Sequence, residues 1–181
     1  MKRTLPGDRG TTPRDRDVAS MIRVNHAGEY GAKRIYEGQL SVMPGNKLIR
    51  HMAEQEEAHL DYFEQEIVTR GVRPTALHPL WHAAGFALGA LTARMGEKAA
   101  MACTVAVETV IAEHYADQLD VLEQNPREKK LAAAIRKFKA EEEEHHDTGL
   151  RHGAEEAYAY PLLTKAIMKG TKFAIRVAKR I

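Results

Sequence analysis

Residues 131–146 read LAAAIRKFKAEEEEHH, and how this stretch sits in a helix decides the fold. In a helical frame Leu131, Ile135 and Phe138 form one apolar stripe at spacings of four and three. Continued at the same spacings, the stripe reaches Glu142 and then His145. The competing pair, Glu143 and His146, extends a row through Arg136 and Lys139, which is a solvent-facing row. The core side of this helix therefore ends in a carboxylate and an imidazole at i and i+3. Ionisable groups taken out of water need a partner or a metal. The competing reading of the stretch alone is a charged helix end that happens to carry histidine, and the rest of the chain decides between the two.

The totals set bounds. A chain of 181 residues, 44% hydrophobic and 29% charged, fits one globular domain with room for a core. A net charge of +2 is too small to point to nucleic acid as a partner. Cys103, the single cysteine, excludes an internal disulfide and any CxxC site. The first residues show no apolar signal-peptide core. Residues 1–16 are polar, with Pro6, Gly7, Gly10 and Pro13, and are expected to form a flexible tail. The folded domain is expected over 17–181.

Outward from the opening stretch, the same plan recurs. A first helix is expected from about Asp17 to Ser41, with Ile22, Asn25, Glu29, Ala32, Tyr36 and Leu40 close to one face. Gly28 and Gly31 flank Glu29 and would admit either a neighbouring helix or a ligand. Met43-Pro44-Gly45-Asn46 is a short break of the kind that joins antiparallel helices. The second helix, about Lys47 to Arg70, carries Leu48, Met52, Glu56, His59 and Phe63 in one row: again an apolar stripe running through Glu-x-x-His. After a loop over Gly71–Pro79, a helix from about Lys98 to Glu123 places Met101, Val105, Glu108, Ala112, Tyr115 and Leu119 on one face. The helix of the opening stretch follows, from about Pro126 to Arg151.

Set in order, the inward acids are Glu29, then Glu56 with His59, then Glu108, then Glu142 with His145. Two helices each give one glutamate and two give Glu-x-x-His, with an apolar connection between the halves. That is the ligand plan of ferritin-like four-helix bundles that hold two irons or two manganese ions. Two close divalent cations repel; four carboxylates neutralise and bridge them, and one imidazole caps each. Glu56 and Glu142, or the lone glutamates, would be the bridges. Oxygen and nitrogen donors without thiolate suit iron or manganese. His26 and His146 adjoin ligands and are candidates for supporting them. Tyr115 lies two turns beyond Glu108 on the same face and is a candidate proton or electron relay, beside the plainer reading of a core aromatic.

Two segments lie outside this plan. Leu80–Met95 is almost purely apolar but shorter than the roughly 20 residues a spanning helix needs. Its composition favours a buried crossover helix over a segment lying on a membrane. From Leu162 to Ile181, one face carries Leu163, Ala166, Ile167, Ala174, Val177, Ala178 and Ile181, and another carries Lys165, Lys169, Lys172, Arg176 and Lys179. A basic amphipathic helix is a candidate for anionic membrane surfaces, and together with the apolar run it favours membrane association.

Four stretches carry a family resemblance: NHAGEYGA at 25–32, PLW to GFALGA across 79–90, ACTVAVE at 102–108 and EHHDTGL at 144–150. From about Ser20 onward the chain closely resembles the demethoxyubiquinone hydroxylases of ubiquinone biosynthesis. In that family the matching positions Glu29, Glu56, His59, Glu108, Glu142 and His145 are iron ligands. The resemblance implies a di-iron monooxygenase that uses O2 to hydroxylate the ring of a polyprenyl methoxy-methyl-benzoquinol. Two electrons must come from outside, from a nicotinamide such as NADH, from a partner protein, or from the quinol. It also implies a peripheral membrane protein, on the cytoplasmic face of the inner membrane in a bacterium or the matrix face in a mitochondrion. A homo-oligomer and partner proteins of the same pathway belong to that expectation; nucleic acid does not. The alternatives are a ferritin-like iron oxidase or peroxidase, a di-iron hydroxylase acting on modified tRNA, and a helical membrane adaptor with a structural metal.

Overall fold

The computed structural model describes residues 13–180. Among them the elements are α1 (Pro13–Val42), α2 (Lys47–Arg70), α3 (His78–Arg94), α4 (Glu97–Leu122), α5 (Lys129–Arg151) and α6 (Tyr160–Ala178). Single 3-10 turns sit at Pro126–Glu128 and Ala154–Glu156, and no strand occurs among the described residues. The class is all-α, as a ferritin-like bundle requires.

Boundaries shift where proline is involved. The tail expected over residues 1–16 lies outside the described residues up to residue 12, and its last four residues are helical. Pro13 opens α1 because the first turn needs no N–H from it and its fixed φ is already helical. For the same reason Pro79 and Pro161 fall inside the first turns of α3 and α6 rather than before them. The helix expected from Pro126 starts instead as a 3-10 turn, capped by Asn125 Oδ1 accepting from Arg127 N at 3.2 Å, and α5 proper begins at Lys129.

The chain divides into two compact units, Met1–Leu91 with Phe173–Ile181, and Thr92–Lys172. In the first, α1 and α2 pair antiparallel. Contacts step backward along one helix as they step forward along the other: Tyr36 Oη to Met52 Sδ at 3.9 Å, Lys33 Nζ to Glu57 Oε1 at 2.8 Å, Glu29 Oε2 to His59 Nδ1 at 3.5 Å. Asn46 Oδ1 starts α2 by accepting from Leu48 N and Ile49 N at 3.0 and 3.1 Å. Gly71 ends it at φ 63°, a left-handed cap that favours glycine. Ile22, Ile49, Met52, Phe63 and Tyr36 fill the core at 1% exposure or less, each worth about 1.5–3 kcal/mol of burial. The expected stripe is one residue off at its start: Ile49 is buried and Leu48 only half-buried.

Helix α3 seats on α1 through glycine. A Cβ on Gly89 would collide with the carbonyl oxygen of Ile35, one on Gly38 with that of Phe86, and one on Gly85 would stand 2.9 Å from Gly31 O. The backbones are in near contact. Gly31 itself has room for a Cβ, although its carbonyl oxygen is one of the atoms that α3 approaches. The expectation of a buried crossover is corrected here. Leu80 is 53% and Leu91 59% exposed, and His82, Ala83, Ala84 and Ala87 are exposed with them. Only the glycine edge is covered, because small residues let one face approach α1 while the opposite face turns outward. Trp81 packs with Ile175 of α6 against Val24, Ala27 and Ala178.

In the second unit α4 and α5 pair antiparallel. Arg136 binds Glu123 near one end, and near the other a Cβ on Gly149 would lie 2.7 Å from Val105 Cγ2 and 3.1 Å from Met101 O. Residues 99–108 of α4 are buried on every side, so this helix is central to its unit. Met101, Leu122, Leu131 and Ile135 are fully buried in it. Lys98 pairs with Glu156 after α5, and Lys172 Nζ lies 2.9 Å from Glu113 Oε2, which ties α6 to α4.

Candidate metal centre

The six inward residues are all at 2% exposure or less. In the first unit Glu29 comes from α1, and Glu56 and His59 come from successive turns of α2. Each offers a ligand atom, and these lie within 4.8 Å of one another. In the second unit Glu108 comes from α4, and Glu142 and His145 come from α5, with the same spacing limit. His145 Nδ1 lies 3.3 Å from Glu142 Oε2. Each unit thus buries two carboxylates against one imidazole nitrogen. Carboxylates removed from water are costly unless a cation neutralises them, and a set of oxygen and nitrogen donors without thiolate fits iron or manganese.

The neighbours of Glu142 fall where the register places them. Glu143 is exposed and accepts from Lys139 Nζ, Glu141 is half-buried near Lys137 at 3.4 Å, and Glu144 is exposed. His146 is half-buried, its Nδ1 3.1 Å from Asp147 Oδ1. His26 is buried at 5% and stacks on His78, with ring centroids 5.9 Å apart. Burial first, and the charge of His78 second, push its pKa down to about 4. Tyr115 is buried at 1% on α4. Burial raises the Cys103 thiol to about 12, which keeps it protonated.

One cluster had no signal in the sequence reading. Tyr30 lies against the ring of His78 (centroids 3.7 Å) and its hydroxyl is 2.6 Å from His82 Nδ1. His78 and His82, one turn apart on α3, meet residues about fifty positions earlier, and no short-range spacing announces such a meeting.

The described chain is all-helical and holds two buried glutamate–glutamate–histidine triads, the donor chemistry of carboxylate-rich metal proteins. Residues 16–178 match the family described as ubiquinone biosynthesis protein COQ7, and the chain belongs to that family. It is similar to the 3-demethoxyubiquinol 3-hydroxylase of Rhodospirillum rubrum, 49% identical over 181 residues, 98% of this chain and 83% of that protein. It is also similar to the NADPH-dependent 3-demethoxyubiquinone 3-hydroxylase, mitochondrial, of Homo sapiens, 50% identical over 169 residues, 91% and 78% of the two chains. The 5-demethoxyubiquinone hydroxylase, mitochondrial, of Saccharomyces cerevisiae is 41% identical over 179 residues, 89% and 77% of the two chains.

Proposed function

We propose that this protein is a di-iron monooxygenase that hydroxylates the ring of a polyprenyl demethoxyubiquinol in ubiquinone biosynthesis. The observation that carries the reading is the pair of buried triads, Glu29, Glu56 and His59 in one unit and Glu108, Glu142 and His145 in the other, in a family whose relatives are named for this hydroxylation. We assign these six residues as the ligands of two iron ions, which when bound would supply the activation of dioxygen. The chain's own contribution is to hold four carboxylates and two imidazoles on helices whose apolar stripes fix their direction, and to exclude water around them. Relatives named NADPH-dependent make a reduced nicotinamide, in either of its two forms, the first electron donor to test.

The substrate's prenyl tail calls for a lipid surface. No helix among the described residues is long and apolar enough to cross a membrane. The exposed Leu80, Ala84, Ala87 and Leu91 of α3, and Phe173 at 61% with exposed Arg176 and Lys179 near the end of α6, support peripheral docking on anionic lipid. We assign that surface to the inner membrane, facing the matrix in a eukaryote and the cytoplasm in a bacterium, a reading that relatives named mitochondrial support as far as the organelle. An iron oxidase or a tRNA hydroxylase has no use for such a face.

The deciding experiment is the quinone profile of cells lacking the protein. Demethoxyubiquinone should accumulate and ubiquinone should fall, with recovery on re-expression. An unchanged profile sinks the proposal.

A further inference from the structure

Three threonines of these helices satisfy their hydroxyls on their own backbone. Thr109, Thr164 and Thr171 each donate their hydroxyl back to the carbonyl four residues earlier, at 2.7, 2.8 and 3.0 Å. Thr104, on α4, does not. It is 1% exposed, and its Oγ1 has no hydrogen-bond partner among the described residues. A buried hydroxyl is nearly always satisfied, so one left without a protein partner points to something that binds beside it.

Its position says where. Thr104 is one turn before Glu108, and residues four apart lie on one face of a helix. Helical side chains lean toward the N-terminus, so the Glu108 carboxylate covers the turn that carries Thr104. Val105 and Met101 of the same stretch face Gly149 on α5, the helix that carries Glu142 and His145.

We propose that the Thr104 hydroxyl is a hydrogen-bond donor to the small oxygen-bearing ligand, water, hydroxide or dioxygen, that occupies the space beside Glu108. This rests on the di-iron reading above and assigns Thr104 as the residue that orients the exogenous ligand. The hydroxyl has its own proton to donate and is placed one turn from the carboxylate, on the side toward the start of α4, while Tyr115 lies two turns beyond Glu108 in the other direction. Nothing about iron affinity requires it, so its loss should be felt by the exogenous ligand and not by the metal.

The test uses the full chain, wild type, Thr104→Val and Thr104→Ser, loaded with iron and oxidised, with azide as the probe ligand and the azide-to-iron absorption band as the readout. Iron content is measured first. Thr104→Val should hold as much iron as wild type but bind azide about 5–10-fold more weakly, and Thr104→Ser should stay within about twofold. Before iron loading, Thr104→Val should melt at or about 2–4 °C above wild type, because an unsatisfied hydroxyl has been removed. Equal azide affinity at equal iron content overturns the assignment. So does a metal-free Thr104→Val that melts several degrees below wild type while Thr104→Ser does not, since the hydroxyl would then have a partner in the protein. A wild-type chain that takes up no iron overturns the di-iron reading itself, an outcome distinct from both.

Discussion

His59 reaches across to another helix: its Nδ1 stands 3.5 Å from Oε2 of Glu29 on α1. Its counterpart His145 lies 3.3 Å from Oε2 of Glu142 on its own helix. Replacing Glu29, His59, Glu142 or His145 with alanine should each abolish hydroxylation, by at least about a hundredfold, with iron per chain reduced. Glu143→Ala should leave both within about twofold, because Glu143 is exposed and its ion pair among the described residues is with Lys139. Activity and iron content measured side by side check this; equal losses for Glu142→Ala and Glu143→Ala would refute the register.

Iron should also stabilise the fold. A ligand that binds only the native state adds about 2.7 kcal/mol at a free concentration of 100 times its Kd. Anaerobic addition of ferrous iron should raise the melting temperature of the wild-type chain by several degrees, and a chelator should reverse it. Glu142→Ala should lose most of that rise.

Gly89 and Gly31 should respond in opposite directions. Gly89→Ala drives a methyl into the carbonyl of Ile35, backbone that cannot step aside, and overpacking of this kind costs about 1–3 kcal/mol. Gly31→Ala meets nothing within 4 Å, and alanine is favoured in a helix interior by about 0.5–1 kcal/mol. Denaturant midpoints should fall for the first and rise for the second.

Acid should weaken the protein through His26. Its folded pKa is about 4, against 6.5 when exposed. Between those values the unfolded chain binds the proton and the folded chain does not. The contribution is complete above about pH 6.5 and is lost as pH falls toward 4, at up to about 1.4 kcal/mol per unit. The lowered pKa of His78 acts in the same direction. Metal-free His26→Gln should lose about 2 kcal/mol less than wild type between pH 7 and 4.5, read from urea unfolding at the two values.

The inward set was legible because burial follows the helical period: Leu131, Ile135 and Phe138 predict where Glu142 and His145 point, and all five are buried. The seating of α3 was not legible. Glycines in an apolar run carry no periodic signal, so Gly85 and Gly89 looked like composition when they are contact points. The meeting of Tyr30 with His78 and His82 depends on that seating. The odd hydroxyl of Thr104 depends on a side-chain rotation that no spacing encodes, and α1 begins earlier than its stripe because Pro13 starts a helix without apolar periodicity.

The glycine contact has a mechanical side. Where helices touch through long side chains, rotamer changes absorb small displacements. Between α3 and α1 the backbones meet directly, at Gly85 with Gly31 O and at Gly89 with Ile35 O, so there is little slack to absorb any. A tilt imposed on the outward-facing α3 is passed to α1 within two residues of Glu29, and the helix that greets the surroundings moves as one body with the helix that carries the first of the buried acids.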